Sequence, residues 1–100
     1  MWRGTTPTHT FTLPEGLSGD SFSTVYITYS QNGEPVLEKS AVDMSFTMNT
    51  ICIHFTQEDT LKFAPGPVKI QLRARYPDGQ AVASNIISTT AKEVLKDGEI

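Results

Sequence analysis

Residues 68–76 read Val68-Lys69-Ile70-Gln71-Leu72-Arg73-Ala74-Arg75-Tyr76. Val68, Ile70, Leu72, Ala74 and Tyr76 alternate with Lys69, Gln71, Arg73 and Arg75, a period of two that predicts a β-strand with one buried and one wet face. On its C-terminal side Pro77-Asp78-Gly79-Gln80 predicts a turn, and Ala81–Thr89 a return strand. Val82, Ala83, Ile86 and Ile87 fall on both faces of that return, which suits either a central strand or one that bulges partway along. On the N-terminal side Pro65-Gly66-Pro67 is a break. Before it, Thr56-Gln57-Glu58-Asp59 has the chemistry of a helix cap, so one short helical turn is predicted near 57–62, with Leu61 and Phe63 closing the edge of the core.

The same rhythm recurs upstream. His9, Phe11 and Leu13 alternate with Thr8, Thr10 and Thr12, and a loop is predicted at Pro14–Asp20. In Ser23–Ser30, Val25, Ile27 and Tyr29 face one way and Thr24, Tyr26, Thr28 and Ser30 the other. Asn32-Gly33 then predicts a tight hairpin, because both residues accept positive φ, with a return strand over Pro35–Val42. Pro35 cannot donate to a ladder and belongs at a strand start or on an edge. Met44, Phe46 and Met48, then Ile51, Ile53 and Phe55, predict a second hairpin around Asn49-Thr50. Residues 1–7 read as a flexible leader, in which Trp2 is the one large apolar group. Thr90 with Glu93 reads equally as a capping box opening a short helix over 90–97 or as an extension of the last strand.

Composition agrees with this pattern. The 100 residues contain 6 Val, 7 Ile and 13 Thr against 6 Ala and 6 Leu, and β-branched side chains fit a pleated surface better than a helix. The length suits one domain. We therefore expect a single all-β domain over 8–98, an immunoglobulin-like or Greek-key β-sandwich of six to seven antiparallel strands. The Cys…Trp…Cys pattern of true immunoglobulin domains is missing, so the expectation concerns architecture. Phe11, Val25, Ile27, Phe46, Ile53, Phe55, Ile70 and Leu72 are the expected core.

Motifs for chemistry are scarce. Cys52 and His54 share a strand face, but His9 is the only other histidine and Cys52 the only cysteine, so no metal site is expected. No nucleophile elbow and no phosphate-cradling glycine loop occurs, so neither an enzyme nor a cofactor is expected. Glu58 and Asp59 fit a cap better than a catalytic pair. A net charge of -3 argues against nucleic acid. No stretch approaches the roughly 20 apolar residues needed to cross a bilayer, and the start lacks a signal-peptide pattern. A cytoplasmic address, or a particle assembled there, follows as the expectation.

Two surface sets stand out. Lys69, Gln71, Arg73 and Arg75 line one strand face, and like charges so placed require water or acidic partners. Glu34, Glu38 and Asp43 are the internal partners on offer for cross-strand pairing; a partner protein is the other reading. Tyr26, Thr28 and Thr24 form a hydroxyl and aromatic set that a glycan could contact.

The segments Val25–Gly33, Phe55–Phe63 and Val68–Arg73, above all Thr56-Gln57-Glu58-Asp59-Thr60-Leu61-Lys62-Phe63, resemble small proteins encoded in phages and prophages of Firmicutes, a family without known enzymatic role. The resemblance spans roughly Phe11–Gly98. It implies a structural or interaction module of a tail, baseplate or virion, made in the host cytoplasm and carried in part to the virion. It would bind other phage structural proteins or itself through a sheet edge or the basic sheet face. A carbohydrate- or cell-surface-binding module is the alternative.

Overall fold

The computed structural model of the chain describes residues 1–13, 21–47 and 49–100; the loop expected at Pro14–Asp20 and the inward position of Met48 lie outside them. In chain order the strands are β1 (Thr8–Thr12), β2 (Thr24–Gln31), β3 (Glu34–Ser40), β4 (Met44–Thr47), β5 (Thr50–His54), β6 (Gly66–Arg75), β7 (Ala81–Ala83) and β8 (Ile87–Ala91). A 3-10 turn, Ala41–Asp43, follows β3, and a short helix α1, Gln57–Leu61, follows β5. One sheet has the order β1-β5-β4; the other runs β3-β2-β6, with β7 and β8 both on the far side of β6. All ladders are antiparallel.

Hairpins β2–β3 and β4–β5 stay within a sheet, whereas the chain crosses between sheets after β1, after β3 and after β5. The orders correspond to B-E-D and C′-C-F-G of the immunoglobulin Greek key. The domain is thus an all-β, immunoglobulin-like sandwich. Among the described residues nothing occupies the place of strand A beside β1.

Local chemistry explains each joint. Asn32 (φ 53°) and Gly33 (φ 78°) supply the two left-handed residues of the β2–β3 turn. Pro35 lies on the edge strand β3, where the register shifts between Tyr29 and Ser30. In α1, the Asp59 amide donates to Thr56 Oγ1 at 3.1 Å, and the Thr56 amide donates back to Asp59 Oδ2 at 3.0 Å. That is a capping box with Asp in the third position. Phe63 is buried behind the turn, while Leu61 is only half-buried.

The core joins Val25, Ile27 and Tyr29 of β2 to Ile51 and Ile53 of β5 and to Val68, Ile70, Leu72 and Ala74 of β6. Each such side chain contributes about 1.5–3 kcal/mol on burial. Phe11 and Phe46 pack against this cluster only partly buried. Tyr29 sits at the centre, edge-on to Phe55 (5.3 Å) and Phe63 (6.0 Å).

One expectation needs revision, and two open alternatives are decided. Residues 1–7 are not a loose leader: the Arg3 amide donates to the Lys92 carbonyl at 3.0 Å, and the Lys92 amide to that of Met1 at 2.7 Å. Arg3 Nε also reaches the Phe63 carbonyl, so the segment lies parallel to the end of β8. Trp2 is half exposed beneath Lys92 Nζ, 4.9 Å from its ring centre. The return strand is an edge strand, not a central one. It breaks between β7 and β8, with the register slipping by one residue, so the bulge alternative holds. At the break Ser84 Oγ takes the Leu72 amide at 3.0 Å in place of a main-chain carbonyl. No helix forms over 90–97; the last strand extends to Ala91 and bridges at Lys92.

Candidate interaction face

Strand β6 runs through the middle of its sheet, and its alternation sends Lys69, Gln71, Arg73 and Arg75 to the outer surface. Antiparallel register then fixes their neighbours on β2: Ser30 beside Lys69, Thr28 beside Gln71, Tyr26 beside Arg73 and Thr24 beside Arg75. On the far side of β2, Glu38 stands beside Thr28 and Ser40 beside Tyr26. All six residues singled out from the sequence, Lys69, Gln71, Arg73, Arg75, Tyr26 and Thr28, therefore share one face.

A hollow of about 410 Å³ opens in this face, lined by Thr24, Tyr26, Thr28, Glu38, Arg73 and Arg75 among others. Tyr26 is 42% exposed, and Lys69, Arg73 and Arg75 are exposed. Gln71 is anchored, donating from Nε2 to the Ser84 carbonyl at 3.0 Å.

The expected cross-strand pairing of these cations with Glu34, Glu38 and Asp43 does not form. Strand β2 intervenes between Glu34 and Glu38 on β3 and the bases on β6, each strand adding about 4.8 Å, and Asp43, in the 3-10 turn, accepts from the Ser40 amide instead. Glu38 instead takes a long bond, 3.5 Å, from Thr28 Oγ1. Among the described residues the ion pair that does form is Lys39–Asp59, at 2.8 Å. The sequence pattern did not reveal it, because Lys39 falls among exposed-looking residues of an edge strand. Its signal is indirect: Lys39 shares the inward parity of Leu37, and a cation there needs a buried acid.

The other singled-out groups do not converge. Cys52 and His54 lie on the outer face of the three-stranded sheet, with His54 Nδ1 2.8 Å from Thr8 Oγ1 and Cys52 Sγ 3.7 Å from Thr10 Oγ1. His9 turns the opposite way into the sandwich, 3.0 Å from the Tyr29 hydroxyl and edge-on to Phe55 at 4.6 Å. Desolvation, with a smaller effect from the amino terminus, lowers its pKa below 6.5. Burial raises that of Tyr29. Glu58 and Asp59 diverge, the latter serving the cap. Among the described residues no three His, Cys, Asp or Glu side chains gather as metal ligands, and no helix is long and apolar enough to cross a membrane.

No family model matches the chain and no curated protein does. Among solved structures it is similar to the V domain of amphioxus IgVJ-C2, at 15% identity over 91% of this chain and 96% of that one, with a TM-score of 0.36. The architecture assigned above rests on the strand pairing itself.

Proposed function

We propose that this domain is a non-catalytic interaction module that binds an acidic protein surface through the outer face of β2 and β6. The observation that carries this reading is the set Lys69, Arg73 and Arg75, exposed on one strand face with no ion-pair partner among the described residues. Three like charges at alternate positions repel one another, and an acidic partner relieves that repulsion as it binds. Tyr26 supplies beside them the kind of aromatic ring that anchors protein interfaces. The likeness of Val25–Gly33, Phe55–Phe63 and Val68–Arg73 to phage and prophage proteins supports a partner in a tail, baseplate or virion.

Installing a photo-crosslinking aromatic residue at Tyr26, in the cells that produce the protein, tests the proposal. The expected product is a discrete adduct with an acidic protein of the same particle, lost when Arg73 and Arg75 are both changed to Glu. Crosslinking no stronger than from a probe at the fully exposed Leu95 would refute it. A second reading, glycan binding, is favoured by the hollow in which Tyr26 lies beside the Thr24 and Thr28 hydroxyls. Glycan-array signals abolished by Tyr26→Ala, with no protein adduct, would support it instead.

A further inference from the structure

The outer face of β3, β2 and β6 is not uniformly basic. Along one row across it, Glu38 of β3 stands beside Thr28 of β2, and Thr28 beside Gln71 of β6. Lys69 and Arg73 lie two positions to either side of Gln71, so strand alternation puts them on the same outer surface. Glu38, Lys69 and Arg73 are all exposed, and among the described residues none of the three has an ion-pair partner. The charge order across the strands is therefore acid, neutral, base. At about 4.8 Å per strand, β3 and β6 stand about 10 Å apart, so the acid and the bases do not satisfy one another within the chain.

A partner surface made only of acid would attract Lys69 and Arg73 but repel Glu38. The face fits best a surface with the same three stripes in reverse order, and its own copy supplies that. A twofold axis parallel to the strands and passing above β2 lays β3 of each copy over β6 of the other, at an unchanged level along the strands. Such a pairing is isologous, so each contact occurs twice. Glu38 of one copy then stands over Gln71 of the other, between Lys69 and Arg73. Those two lie about 6.7 Å to either side along the strand, within the span of long side chains.

Residues at a twofold axis meet their own images, so a charge there repels itself. Strand β2 satisfies this condition: it sends Thr24, Tyr26, Thr28 and Ser30 outward, and none of them is charged. Tyr26, 42% exposed, meets its own copy near the axis, where offset stacking of two rings is favourable. Sheets packed face to face keep their strands within about 30° of one another, so this register holds close to the axis.

We infer that the domain pairs with a second copy of itself through this face, as a twofold dimer held by Glu38 of each copy against Lys69 and Arg73 of the other. The inference rests on the reading of this face proposed above and names the acidic surface that the face takes, strand β3 of another copy. The matched patch is three strands wide and runs along Thr24–Ser30. At strand spacing that is about 15 by 20 Å, or about 300 Å² per copy, well below the roughly 800 Å² per partner of a standard interface. The dimer is therefore weak, forms at high concentration and dissolves as salt screens its charges.

The test is sedimentation equilibrium of the full chain, from about 10 μM to about 1 mM in about 50 mM salt. The parent should dimerise across this range and return to monomer at about 0.5 M salt. Glu38→Arg alone, and Lys69→Glu together with Arg73→Glu, should each weaken association by about tenfold or more. An equimolar mixture of these two variants carries the exchanged charges on opposite copies. It should associate as the parent does, which also shows that both variants are folded. The inference is overturned if the parent stays monomeric, if either variant alone dimerises as tightly as the parent, or if the mixture stays monomeric. The Tyr26 crosslink separates this inference from the reading beneath it. An adduct with a different acidic protein, formed by a chain that stays monomeric, overturns the second copy alone. No adduct together with no dimer overturns both.

Discussion

Replacing Lys39 with Met removes the positive half of the Lys39–Asp59 pair while keeping the aliphatic stem. The two side chains are 11% and 12% exposed, and Lys39 Nζ lies 2.8 Å from Asp59 Oδ2 and 5.5 Å from the Phe55 ring centre. Removing one partner of a buried pair costs about 3–5 kcal/mol. Here Asp59 keeps the Thr56 amide and some water, so we expect about 2–3 kcal/mol, equivalent to a fall in Tm of about 10–20 °C. Asp59→Asn alone should be similarly harmful. The double variant should lose at least about 1.5 kcal/mol less than the sum of the two.

The pH profile supplies a separate check on the same pair. Burial opposes the Asp59 charge, but the bonds from Lys39 and Thr56 outweigh it, and the carboxyl is held below its usual 3.8. A depressed folded-state pKa contributes stability that is present above 3.8 and is lost as pH falls through the folded value. Urea unfolding from neutral to acid pH should therefore show a smaller acid loss in Lys39→Met than in the parent. A cost under about 0.5 kcal/mol, with the two pH profiles parallel, would refute the reasoning.

Other outcomes follow from the same geometry. Because the pKa of His9 is lowered, the unfolded chain binds its proton first. Stability should thus fall as pH drops below 6.5, and His9→Gln should flatten that stretch of the urea-derived profile while leaving the more acidic one. Asn32→Ala, at φ 53°, should cost about 1–2 kcal/mol in thermal unfolding, whereas Asn32→Gly should cost little. Arg73→Glu with Arg75→Glu should change stability by less than about 0.5 kcal/mol per site, since neither side chain has an ion-pair partner among the described residues; a larger loss by denaturant titration would show a structural role.

The two-residue rhythm of Val25–Tyr29 and Val68–Ala74 made the inner faces legible, because burial of one face of a strand leaves a pattern that needs no tertiary knowledge. Asn32-Gly33 and Thr56–Asp59 were legible because turns and caps are satisfied by local bonds. What failed was long-range. Cross-strand pairing of Arg73 with Glu38 is reasonable until β2 is placed between them, and strand order is not written in alternation. Lys39 and Asp59 meet across 20 positions, and Met1–Arg3 meets the end of β8 from the opposite end of the chain. The apolar residues on both faces of 81–89 fit a central strand as well as one that bulges partway along, and the register slip between β7 and β8 decides for the bulge.

The central claim is that Lys69, Arg73 and Arg75, which have no ion-pair partner among the described residues, form a cationic face that takes an acidic partner. Titrating the isotopically labelled protein with an acidic Glu- and Asp-rich peptide, and mapping chemical shifts, tests it directly. The account predicts changes clustered at Tyr26, Thr28, Lys69, Gln71, Arg73 and Arg75 that disappear at about 0.5 M salt. Changes centred on Lys62, Lys92 or Lys96 instead, or none at all, would contradict it.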